Sequence, residues 1–148
     1  MAIRPETIRV RLKKLRAMIA QLETIRARGE EIYNHDDLLQ AAAERALQIA
    51  TQCVLDIGNH IIAETSLALP ESNDEIIATL HRAGIISEGL ANRLTGLGGF
   101  RNVLVHDYLE LDQGRIFHEH LERLDNFRDF AAEILKFLDE PPKNKQQE

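Results

Sequence analysis

The chain has 148 residues, 44% of them apolar and 28% charged, a balance that fits one compact domain with a real core. The single cysteine, Cys53, excludes an intrachain disulfide and a zinc site built from several thiolates, and no run of about 18 apolar residues offers a membrane span. A formal net charge of -6 argues against a protein that coats nucleic acid without specificity.

Helices are predicted throughout, because seven aromatics in all and few turn residues do not make an all-β pattern. From Pro5 to Gly29, Ile8, Leu12, Leu15, Met18 or Ile19, Leu22 and Ile25 recur every three or four residues, the mark of an amphipathic helix. Asn34-His35-Asp36-Asp37 offers caps for a second helix. Leu39, Ala42, Ala46, Ile49 and Cys53 form one of its stripes, and Leu47, Ala50, Val54, Ile57 and Ile61 another. Two stripes predict a central helix packed on both sides, stopped by Pro70, with Cys53 as a small buried hydrophobe. Ser72-Asn73-Asp74-Glu75 reads as a capping box opening a short helix that ends at Gly84. A fourth segment begins near Ser87, is interrupted or closely packed at Gly96, Gly98 and Gly99, and resumes from Phe100 to about Tyr108. Asp112 caps a last helix in which Phe117, Leu121, Leu124, Phe127, Ala131, Ile134 and Leu138 keep the period to Pro141-Pro142. The expected fold is all-α, an up-and-down bundle of four or five helices over residues 1–138, followed by a polar tail, 139–148, expected to be disordered. Met1-Ala2-Ile3-Arg4-Pro5 lacks the apolar run of a secretory signal, so a cytoplasmic location with no membrane partner is expected.

Charge is unevenly placed. Residues 1–28 hold eight Lys/Arg against Glu6 and Glu23, a net of +6, which leaves -12 for the remainder. The basic first helix either meets an acidic partner, RNA or protein, or balances acidic neighbours within the bundle, the commoner case.

Reactive side chains are densest in Arg101-Asn102-Val103-Leu104-Val105-His106-Asp107-Tyr108. At about 100° per residue Arg101 and Tyr108 project nearly the same way, with Asn102 and His106 about 120° round the helix. Guanidinium stays charged and grips anionic oxygens in a fork, while imidazole exchanges a proton near neutrality, so the pair suits a phosphodiester without a metal. Taken alone, the same residues more often make only caps and salt bridges, Arg101 with Asp56 or Glu64. Asp56, His60 and Glu64 form a polar stripe short of a metal set, and no Glu-x-x-His accompanies them. His118-Glu119-His120 points two ways and reads as solvated surface, His35 and His81 as capping or exposed, and Gly96-x-Gly98-Gly99 as helix packing, since it lacks the strand and Lys-Ser/Thr of a phosphate loop.

The octapeptide resembles the Arg-x4-His-x-Tyr signature of HEPN proteins, in particular the HepT toxin branch paired with MNT-type minimal nucleotidyltransferase antitoxins. Leu55-Asp56-Ile57-Gly58-Asn59-His60-Ile61-Ile62-Ala63-Glu64 and Gly84-Ile85-Ile86 share the likeness, which spans most of residues 35–135. The resemblance implies a homodimeric, cofactor-free and metal-independent endoribonuclease toxin. His106 would be its general acid/base, Arg101 would stabilise charge on phosphorus, and Asn102 and Tyr108 would support them. It also implies silencing by AMP transfer to Tyr108 from a cognate nucleotidyltransferase. The alternative is a non-catalytic HEPN subunit that serves that enzyme as adaptor and substrate.

Overall fold

The computed structural model describes residues 4–65, 67, 69–107, 109 and 111–140. In chain order the elements are α1 (Pro5–Ala27), α2 (Glu30–Asn34), α3 (Asp37–Glu64), α4 (Asn73–Arg82), α5 (Glu88–Arg93), α6 (Leu97–His106), α7 (Gln113–Glu119) and α8 (Asp125–Asp139), with a 3-10 turn at Leu121–Arg123 before α8. No strand occurs among the described residues, and none of their helices is long and apolar enough to cross a membrane.

The frame is the pair α1 and α3. All seven apolar positions that the spacing picks out in α1 are buried. They pack on α3, whose Asp36 cap accepts from the Leu38 and Leu39 amides at 3.0 Å. The two predicted stripes of α3 merge into one broad buried surface that takes in Ala43, Leu55 and Ile62 but leaves Ala42 exposed. That breadth lets α3 touch α1, α4, α6 and α8 together. It ends at Glu64, earlier than Pro70 requires, where the Thr65 hydroxyl turns back to the Ile61 carbonyl at 2.6 Å.

Two local expectations are corrected, one is met, and one short helix has no sequence signal. Ser72 caps α4 by position only; Glu75 reaches past it and accepts from the Glu71 amide at 3.0 Å, so the box does not close. The fourth segment is interrupted at Gly96 as expected, giving two helices, α5 and α6, separated where that glycine turns left-handed at φ +87°, a conformation that costs a side-chain-bearing residue energy. The last helix is also two, broken at His120 (φ -126°, ψ -52°), although its apolar spacing runs on without a gap. Finally, α2 leaves no trace in the spacing. It follows Gly29 (φ +91°) and serves to bury Tyr33, whose hydroxyl donates to Gln113 Oε1 at 2.5 Å while Gln113 Nε2 donates to Glu44 Oε2 at 2.9 Å. Burial, helped by Glu44, pushes the Tyr33 phenol far above its ordinary range, so it stays a proton donor at any working pH.

Gly98 shows why α6 needs glycine near its start. A Cβ there would stand 2.7 Å from Asn73 Cβ, 2.8 Å from Asp74 Oδ1 and 3.2 Å from the Asp74 amide, all at the head of α4, whereas at Gly99 it would meet open space. Gly98→Ala is therefore expected to cost about 1–3 kcal/mol by overpacking, read as a lower urea midpoint at unchanged slope, with Gly99→Ala as the near-neutral control.

Candidate active site on α6

Leu104 and Leu97 anchor α6 in the core and turn the other face of the helix outward. Arg101 is half-buried on that helix. Its Nε donates to Gln52 Oε1 on α3 at 3.1 Å and its Nη1 to Asn102 Oδ1 at 3.2 Å. Gln52 is oriented in turn, because its Nε2 donates to Asp56 Oδ1 at 2.8 Å. The ion pair with Asp56 or Glu64 expected of a purely structural arginine is absent; Asp56 acts only through Gln52, and Glu64 accepts from the Arg4 amide at 2.7 Å. Among the described residues no carboxylate pairs with Arg101, so two neutral amides fix the guanidinium without cancelling its charge.

His106 is exposed at the last position of α6, and Asn102 is exposed one turn earlier. The structure thus brings Arg101 and Asn102 together and sets His106 further along the same helix. Tyr108 lies outside the described residues. Grooves of about 290 and 380 Å³ among the described residues flank Phe100 and His120, and neither is lined by Arg101 or His106. Asp56, His60 and Glu64 do not gather, and among the described residues no three His, Cys, Asp or Glu side chains stand close enough to hold a metal. Cys53 is buried, as expected. His35 and His81 are exposed, and His35 Nδ1 lies 2.9 Å from the Glu31 carbonyl.

His120 is the residue whose expected place is overturned. His118 is solvated and meets Glu30 and Glu122, but His120 turns inward and stacks on Phe100, with ring centroids 3.6 Å apart and planes 11° from parallel. The break between α7 and the 3-10 turn permits this, and the stack braces α6 one residue before Arg101. Burial lowers the His120 pKa to about 4, with Arg115 and Arg123 acting in the same direction and Glu119 opposing them. Its folded pKa lies below the ordinary 6.5, so the unfolded chain binds the extra proton. Stability is therefore complete above about pH 6.5 and falls as pH drops toward 4, by about 2–3 kcal/mol. Thermal midpoints measured at steps from neutral to pH 4 are expected to fall less in His120→Phe, which keeps the stack without the titration.

These are features of a helical-bundle protein that presents on one helix an exposed histidine and an oriented arginine with no carboxylate partner among the described residues. The chain belongs to the family described as Ribonuclease HepT-like, which matches residues 13–134. It is 27% identical over 124 residues to the mRNA nuclease HepT of Shewanella oneidensis, covering 84% of this chain and 92% of that one. It is 26% identical over 136 residues to the tRNA nuclease HepT of Aphanizomenon flos-aquae, covering 92% of each. Among solved structures, a tri-AMPylated Shewanella oneidensis HEPN toxin in complex with MNT antitoxin superposes with a TM-score of 0.73 at 27% identity, over 86% of this chain and 96% of that one.

Proposed function

We propose that this chain is the toxin of an HEPN/MNT toxin–antitoxin pair, a metal-independent endoribonuclease of the cytoplasm that works as a homodimer and is neutralised by AMP transfer to Tyr108. The observation that carries the reading is Arg101: a half-buried guanidinium normally sits against a carboxylate, whereas here Gln52 and Asn102 hold it and leave its charge for an anionic oxygen. In the proposed reaction His106 takes the proton of the RNA 2′-hydroxyl, O2′ bonds to phosphorus, and the P–O5′ bond breaks. The leaving 5′-oxygen receives a proton from an imidazolium, giving a 2′,3′-cyclic phosphate and a 5′-hydroxyl. Arg101 stabilises the extra negative charge on phosphorus, and Asn102 keeps its fork oriented.

A second copy supports this chemistry in two ways. The motif helix and the segment after it expose apolar side chains: Val103 is 40% and Leu109 84% exposed. Two such faces meeting would cover those side chains and form a cleft lined by two Arg101 and two His106. Cognate nucleotidyltransferase and ATP are the other partners of the reading. The phenol oxygen of Tyr108 would attack the α-phosphorus and release pyrophosphate. The test is cleavage of single-stranded RNA by the purified protein, with and without prior incubation with the partner and ATP. Cleavage that this incubation stops supports the reading, whereas partner binding without cleavage in either state supports the adaptor alternative.

A further inference from the structure

The cations of α1 are placed where they extend the α6 site. The Arg4 amide, bound to Glu64 Oε2, sets the antiparallel register of α1 on α3, and counting along both helices brings Arg11 level with Ile57, next to Asp56, and Lys14 level with Val54, next to Cys53. The electrostatics agree: burial and then Asp56 push the Cys53 thiol up, and Arg11 and Lys14 oppose them. Asp56 is also the carboxylate behind Gln52, which holds Arg101. Arg11, Lys14 and Arg101 therefore border one strip of α3, with Asp56 among them.

Four arginines elsewhere on the protein are committed to carboxylates. Arg9 pairs with Asp139 at 3.1 Å, Arg93 with Asp129 at 2.8 Å, Arg115 with Glu119 at 3.3 Å, and Arg128 with Glu23. Among the described residues Arg11 and Lys14 form no ion pair; Arg11 donates to the Thr7 carbonyl of its own helix, and Lys14 is exposed. The strip between them and Arg101 carries Gln52, Asp56, Asn59 and His60 and no aromatic anchor, which suits a charged backbone better than a protein interface core.

We propose that Arg11 and Lys14 bind phosphates of the RNA strand beyond the cleaved linkage, so that substrate crosses α3 from Arg101 to α1. The inference deepens the ribonuclease reading and rests on it. It is tested by fluorescence anisotropy of a labelled single-stranded RNA on His106→Ala protein, with and without Arg11→Gln/Lys14→Gln, over a salt series. Losing two phosphate contacts is expected to weaken binding about ten- to thirtyfold near 0.1 M salt and to reduce the slope of log affinity against log salt by about 1.4. The charge-preserving pair Arg11→Lys/Lys14→Arg is expected to restore both, which a fold defect would not allow. An unchanged slope overturns the proposal even if the wild type cleaves RNA. An unchanged slope with loss of binding to the cognate nucleotidyltransferase overturns it in favour of a protein-docking surface. A reduced slope in a protein that never cleaves RNA upholds the contact and removes the nuclease reading, so the two fail separately.

Discussion

His106→Ala is expected to lower the rate of RNA cleavage by about 10²–10⁴-fold, the range for loss of a general acid/base. His106 is exposed at the end of α6, so its truncation opens no cavity, and the variant is expected to keep the wild-type thermal midpoint. Arg101→Ala is expected to cost about 10²–10³-fold, as for loss of one preorganised donor to developing negative charge. Arg101→Lys should recover only part of this, because an ammonium can take the place of Nε opposite Gln52 or reach phosphate, but cannot present the planar fork that does both. Gln52→Ala provides a graded check. It removes the side chain that orients Nε and leaves the charge, so it should impair cleavage less than Arg101→Ala does. Initial rates on a labelled RNA measure all four. Rates within twofold of wild type for both His106→Ala and Arg101→Ala would mean that the motif does not carry catalysis.

Tyr108→Phe is expected to abolish adenylylation outright, since the substitution removes the only oxygen the side chain can offer to the α-phosphorus. Intact mass after incubation with the cognate nucleotidyltransferase and ATP should show one or more AMP increments on the wild type and none on the variant. The modified wild type should lose RNA cleavage, while Tyr108→Phe should stay active under the same treatment. The physical reason is charge. Each added phosphate brings negative oxygens to a residue seven positions beyond Arg101 in sequence, where they can occupy a guanidinium that no carboxylate among the described residues has claimed and repel an RNA strand. An increment that persists in Tyr108→Phe would place the modification elsewhere.

The sequence shows what neighbours along the chain decide. In α1 the apolar spacing names every buried side chain, since one face packs on one partner and nothing distant intervenes. In α6 the motif is legible by resemblance, and the close packing at Gly98 by composition. What stays hidden depends on contacts between remote segments. The break at His120 is invisible because Phe117, Leu121, Leu124 and Phe127 keep helical spacing across it; the cause is a stack on Phe100, 20 residues earlier. Helix α2 exists to deliver Tyr33 to Gln113, 80 residues away. Gln52 is a neutral residue inside a long helix, and nothing in its surroundings along the chain marks it as the partner of Arg101. Its hydrogen bond to Asp56 at i, i+4 is the nearest thing to a local signal, and that spacing is common on any helix.

The central claim is that imidazole and guanidinium alone drive attack by the RNA's own 2′-hydroxyl. The most direct measurement is end-group analysis, by mass spectrometry, of RNA cleaved by the unmodified protein in excess EDTA. Undiminished cleavage leaving 2′,3′-cyclic phosphate and 5′-hydroxyl ends is the expected result. Cleavage that stops in EDTA and returns with a divalent cation, or products bearing 5′-phosphate and 3′-hydroxyl ends, would contradict it.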